Sequence, residues 1–273
     1  MTSPDPVPHA AGPPRADDGS EPSHSTLADR IVAFERTLAD RLATRVDALP
    51  FGIARISSDL PRVYDASCVE VTGPVADDEL LSTTESVFGE AGLRHRRIST
   101  TVAEVASSVG PALISRGWSL DRLVYMAHDR RPLVTPKGYS VADIDTWARA
   151  ARAFAAEQWG RDSAVRADMA AHDRRFAART DVRFVLTDDG SAGCHVYRLG
   201  RVAQIENIYV LSHARRNGLG RTLLAAALHE CREADVVFLV AEAGGWQRRW
   251  YERAGFAVVA SGWSWLRRPA QDV

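Results

Sequence analysis

The spacing of hydrophobic residues changes along the chain, and each change marks an element. Leu27, Ile31, Phe34, Leu38, Leu42 and Val46 recur at helical spacing and predict one amphipathic helix, ended by Pro50. Strand-like runs follow at 51–56 and 68–71, then a helix near 78–90, a strand at 95–98, a helix near 102–115 and a strand at 120–127. A second series opens with a strand at 139–141. Helices are expected over 144–158, where Trp147, Ala151, Phe154 and Ala155 share a face, and over 168–179. The runs 182–186 and 193–197 read as a hairpin turning at Asp188-Asp189-Gly190. Val202 to Val210 is β-branched and aromatic, a largely buried strand. Leu219, Leu223, Leu224, Ala227, Leu228 and Cys231 then form one helical stripe. Val236 to Ala241 is a further buried strand, and the aromatic segment from Trp246 to Phe256 follows Gly244-Gly245.

The two series echo each other. In both, a Gly-aromatic pair, Gly117-Trp118 or Gly255-Phe256, follows a helix and precedes paired strands, which points to an internal duplication of roughly 110 residues. Residues 1–25 are rich in Pro, Ser, Ala and Asp with almost no large apolar side chain, the composition of a disordered tail. Pro132 and Pro136 mark a linker. The expected organisation is a tail at 1–25, a first domain at 26–130, a linker at 131–138 and a second domain at 139–273.

Chemistry concentrates where the strand ending at Val210 turns into the helix beginning near Leu219, through VLSHARRNGLGRTLL. The first amides of a helix lack internal partners and carry the positive end of its dipole, so such a junction attracts anions. Gly218 and Gly220 leave those amides open, and Arg215, Arg216 and Arg221 add cationic charge, so the expected guest is a phosphate or pyrophosphate. Gly220-Arg221-Thr222 lacks the lysine of a nucleotide-hydrolysing P-loop. Leu223 stands where a dinucleotide fingerprint needs a small residue.

Arg215 to Gly220, read as Arg-x-x-Gly-x-Gly after a strand-ending valine, resembles the acyl-CoA pyrophosphate loop of the GNAT acetyltransferases, and the Tyr251…Gly255-Phe256 segment resembles the end of the GNAT fold. The resemblance runs from about residue 139 to 268 and implies an α/β (α+β) fold: a mixed, mostly antiparallel sheet flanked by helices, here in two tandem copies. In that fold the strands ending at Val210 and starting at Val236 splay apart around a thioester arm. It implies acetyl-CoA as co-substrate, held by Ile208, Tyr209, Val210, Arg215, Arg216, Asn217, Gly218, Leu219, Gly220, Arg221 and Thr222, with no metal. Tyr251 matches the general acid for the thiolate, and the Val210 amide the carbonyl-binding position. Glu206 is the leading base: it lies four residues before Val210, so period two sets both side chains on one sheet face. A carboxylate inside an apolar strand otherwise calls for a structural arginine partner, and Glu242 is the reserve base. Gly244 stands where many family members carry Asn, which removes one contact to the CoA arm.

The first half departs further. After Val71 comes Thr72-Gly73-Pro74-Val75-Ala76-Asp77-Asp78-Glu79, where three carboxylates would repel a pyrophosphate and Pro74 lacks an amide donor. That copy is expected to bind no cofactor and to wall the acceptor site.

A formal net charge of −1 gives no general pull toward nucleic acid or anionic membrane, and 45% hydrophobic residues suffice for real cores. There is no transmembrane run and no apolar signal-peptide core. Cys68, Cys194 and Cys231 lack metal-ligand spacing and read as reduced core residues of a cytoplasmic protein. His195 and His213 are assigned structural roles, and most of the tryptophans core packing. Two functions fit: an N-acetyltransferase acting on a small-molecule amine or peptide acceptor, or a non-catalytic acyl-CoA-binding sensor or scaffold. A monomer with an internal pseudo-dimer, or a homodimer, fits either.

Overall fold

A computed structural model describes residues 26–129, 136–160 and 162–269. The expected tail lies outside these residues, as does most of the expected linker. Helix α1 (Leu27–Leu42) opens the first half, its start fixed by a capping box in which Thr26 and Asp29 satisfy each other's amides. It ends one turn before the expected position. Val46 belongs instead to strand β1 (Arg45–Leu49), which turns through Pro50-Phe51 into β2 (Gly52–Ile56). The Thr44 amide and hydroxyl both donate to the Ile56 carbonyl and close that hairpin. Next come β3 (Cys68–Val71), α2 (Asp77–Glu90), β4 (Arg96–Thr100), α3 (Ala103–Ser115) and β5 (Ser119–His128).

The second half contains β6 (Tyr139–Ala142), α4 (Ile144–Trp159), α5 (Ser163–Arg179), β7 (Asp181–Thr187), β8 (Ala192–Leu199) and β9 (Val202–Val210). It continues with α6 (Leu219–Glu230), β10 (Val236–Glu242), α7 (Trp246–Arg253) and β11 (Phe256–Arg267). Helix α5 starts earlier than its apolar spacing indicates because the Asp162 side chain accepts from the amides of Ala164 and Val165. The β7–β8 turn is the expected one, with Gly190 at φ 68°.

All 11 strands join one mixed, mostly antiparallel sheet, in the order β1-β2-β3-β4-β11-β5-β10-β9-β8-β7-β6. The parallel pairs are β3–β4 and β9–β10, at equivalent places in the two halves. The expected duplication is therefore present in the topology: β3-α2-β4-α3-β5 repeats as β9-α6-β10-α7-β11. The last strands are exchanged. β11 pairs with β4 of the first half, β5 pairs with β10 of the second, and β5 and β11 pair with each other at the centre. Two apolar clusters, one built on α2 and α3 and one on α6, cover one face of the sheet. On the other face α1 packs with Phe176 of α5 against β5, β8 and β10, and α4 packs on β7 and β9. Among the described residues no helix is long and apolar enough to cross a membrane.

Candidate active site

β9 and β10 pair only at Val202–Val236, Ala203–Val237 and Gln204–Phe238, and beyond that point they part, as expected. β9 carries a bulge there. Glu206 pairs with His195 and Tyr209 with Gly193, so Asn207 and Ile208 together oppose Cys194 alone. Asn207 adopts the left-handed conformation, φ 54°, which asparagine tolerates better than β-branched residues. The extra residue reverses the pleat. Ile208 and Val210 pack on the α6 side, while Glu206, paired with His195, lies on the α1 face, so the same-face expectation for Glu206 and Val210 is wrong.

The backbone of Val210 is oriented for the opening. The Leu211 amide donates to Ser191, so Val210 is a non-hydrogen-bonded partner of Ala192, and its own N–H points away from β8 toward the gap. Its carbonyl accepts from Arg215 Nε at 3.0 Å. Arg215 thus braces the end of β9, and Glu157 of α4, 3.8 Å from it, also accepts from the Ser212 amide and hydroxyl. In the loop itself Arg216 and Gly218 have φ 68° and 80°. Among the described residues, the amides of Arg216, Asn217, Gly218, Leu219 and Gly220 have no acceptor. Such a row of free N–H groups at a helix start fits a pyrophosphate. Trp250 lies 3.7 Å from where a Gly220 Cβ would sit, so that position faces α7 in ordinary contact.

Tyr251, on α7, packs against the α6-side core beside Phe256. Burial pushes its phenol well up, and the charge of Glu206 adds to the effect. Glu206 has no arginine within salt-bridge distance among the described residues, which removes the structural ion-pair reading. It accepts from Gln204 Nε2 at 2.9 Å. Burial raises its pKa to about 8, assisted by the charges of Glu35 and Asp65. Glu242 is exposed at the end of β10.

Glu35 is the residue missed from sequence. It falls on the stripe Ile31, Phe34, Leu38 of α1, and a carboxylate there was the available signal. Burial raises its pKa to about 7, while Arg97 and the Gln204 amide pull it down. The arginines nearby have partners of their own: Arg36 and Arg55 hold Glu70, and Arg97 holds Asp65 at 3.1 Å and donates to Ser264.

His195 keeps its structural assignment. It is buried and neutral, its pKa lowered to about 3 by burial. Its Nδ1 shares a hydrogen bond with the Tyr197 hydroxyl at 2.7 Å and lies 3.2 Å from the Asn207 side-chain amide nitrogen, so it braces the bulge. Trp246, expected with the core tryptophans, is 72% exposed.

In the first half β3 and β4 pair at Val69–Ile98 and Glu70–Ser99. Thr100 Oγ1 donates to the Val71 carbonyl at 2.7 Å and bridges β4 to β3 where their counterparts part. Asp77, Asp78 and Glu79 occupy the first turn of α2.

The parallel pair β9–β10 thus parts beside a loop of free amides. Residues 144–256 match the model of the Acetyltransferase (GNAT) family. Solved structures extend the likeness to most of the chain. A GCN5-related N-acetyltransferase from Kribbella flavida is 19% identical, with TM-score 0.62 over 90% of this chain and 97% of that one. A functionally unknown conserved protein from Staphylococcus epidermidis is 10% identical, with TM-score 0.66 over 84% of this chain and 95% of that one. A tandem GNAT protein from the clavulanic acid biosynthesis pathway is 14% identical, with TM-score 0.50 over 82% and 80%. No curated protein matches the chain in sequence.

Proposed function

We propose that this protein is an N-acetyltransferase that moves an acetyl group from acetyl-CoA to an amine by direct attack on the thioester. The observation that carries the reading is the gap between β9 and β10, which the Val210 N–H faces beside a loop of free amides. The free amides of Arg216 to Gly220, with Arg221 and Thr222 at the start of α6, would hold the pyrophosphate, and Ile208, Tyr209 and Val210 would flank the arm. Bound acetyl-CoA supplies the activated acetyl group and a thiolate leaving group. Glu206 takes a proton from the amine, leaving a neutral nitrogen to attack. The Val210 N–H donates to the carbonyl oxygen as charge develops on it, and the Tyr251 hydroxyl, kept protonated by burial, gives its proton to the departing sulfur. No metal is required. Three free cysteines, two of them buried, support a reducing, cytoplasmic setting.

Thiol release from acetyl-CoA with a panel of amines tests the reading, with calorimetry for CoA itself. Tyr251→Phe should lower kcat about tenfold or more with CoA affinity kept, since the hydroxyl is needed in the transition state and hardly in the ground state. CoA binding with no transfer to any amine would leave a sensor or scaffold in place of an enzyme.

A further inference from the structure

We infer that Arg215 is a positioning residue and not a phosphate ligand: with Glu157 of α4 it caps the Val210 carbonyl, so that the edge of β9 offers the thioester an N–H with no bare carbonyl beside it. The inference rests on the acetyl-transfer reading and adds two residues that set the polarity around its carbonyl-binding N–H. Val210 and Ala192 are a non-hydrogen-bonded pair, so both backbone groups of Val210 turn away from β8, the carbonyl as well as the N–H. β10 has already parted from β9 at this level and offers neither group a partner. Arg215 Nε donates to the carbonyl at 3.0 Å, and among the described residues no backbone amide reaches it. The N–H is left open to the gap.

The guanidinium is in turn held from α4. Glu157 stands 3.8 Å from it and accepts from the Ser212 amide at 3.1 Å and the Ser212 hydroxyl at 2.8 Å. Those hydrogen bonds, with the charge of Arg215 nearby, hold the Glu157 carboxyl below its ordinary range, so it is ionised at neutral pH. One residue earlier in β9, Phe154 of the same helix stacks on Tyr209 with ring centroids 4.0 Å apart. α4 therefore grips β9 on both sides of the Val210 N–H. An uncapped carbonyl beside that N–H would turn its negative end toward an oxygen gaining charge, and the guanidinium reverses the sign there. Two guanidinium nitrogens are committed, Nε to Val210 and one terminal nitrogen toward Glu157, which leaves the pyrophosphate to the free amides of Arg216 to Gly220. The two side chains are 61% and 33% exposed, so the clasp adds little stability, and its loss falls on the reaction and not on the fold.

S-acetylpantetheine, which carries the thioester arm and no pyrophosphate, separates the two roles. Arg215→Ala should lower kcat about tenfold on acetyl-CoA and on S-acetylpantetheine alike, with CoA affinity in calorimetry kept within about threefold and the urea midpoint unchanged. Arg215→Lys should recover part of the loss. Glu157→Gln should lower kcat in the same direction, and the double variant should be no worse than Arg215→Ala, because the two side chains act as one unit. CoA binding weakened about tenfold or more by Arg215→Ala, with turnover of S-acetylpantetheine untouched, would set Arg215 on the phosphates and overturn the inference. A readout without turnover keeps it apart from the transfer reading. Carbonyl-13C valine and 15N leucine together mark only the Val185-Leu186 and Val210-Leu211 peptides. In Arg215→Ala the Val210 carbonyl signal should move while that of Val185 stays, and in Glu157→Gln it should move the same way by less. A moved signal upholds the clasp even where no acetyl group is transferred, and an unmoved one sinks it.

Discussion

Replacing Glu206 with Gln gives a measurement that needs no knowledge of the acceptor. Folding raises the Glu206 pKa from 4.5 to about 8, chiefly through burial. Between those values the folded chain keeps a proton that the unfolded chain has released, so raising the pH favours unfolding. The stability contributed by the protonated carboxyl is full below 4.5 and is lost as pH rises through about 8. At about 1.4 kcal/mol per pH unit, that interval sets a ceiling of about 5 kcal/mol. Relaxation and water entry around a partly exposed carboxylate reduce it to about 1–3 kcal/mol. Urea unfolding at pH 5 and pH 9 reads the effect. The stability of Glu206→Gln relative to wild type should rise by that amount between the two pH values, because the amide has no proton to lose. Wild type and variant should still share a slope from Glu35, whose pKa is raised to about 7 in the same cluster. Two curves that stay parallel, within about 0.5 kcal/mol, would refute the burial of Glu206 as a proton-holding group.

Gly220→Glu should weaken acetyl-CoA binding by about tenfold or more in calorimetry with the fold kept, because its Cβ meets Trp250 only at ordinary contact distance while its charge opposes a pyrophosphate. Saturation binding should give one CoA per chain, since Thr100 bridges the would-be gap of the first half and three carboxylates open α2. Asn207→Val should cost about 1–2 kcal/mol in urea unfolding, because a β-branched residue resists φ 54°, and Asn207→Gly should keep the bulge.

Much of this architecture was legible in the periodicity, because burial imposes period two on strands and 3.6 on helices wherever one face meets a core. β1 was not: Val46 continues the helical spacing of Leu38 and Leu42, and only its pairing with Arg55 draws it into a strand. The exchange of β5 and β11 was equally hidden, since the apolar pattern of a strand reports its faces and not its neighbours. The loop proposed to hold phosphate stands out in sequence through Gly218, Gly220 and the arginines, because backbone geometry restricts what may stand there. The geometry around Glu206 could not be read that way. A single residue at positive φ, Asn207, reversed the side on which Val210 lies relative to Glu206, and the pattern in β9 carries no mark of it. Glu35 was lost for another reason: Gln204, which bears on its charge, lies in the other half, and sequence spacing cannot connect them.

The exchanged strands bind the two halves into mutual dependence. β5 fills the place between β10 and β11, and β11 the place between β4 and β5, so removing either half would leave the other with a missing rung and an open edge where its centre should be. The first half is therefore not ballast awaiting deletion. It supplies β5, the strand against which β10, one side of the gap, is held.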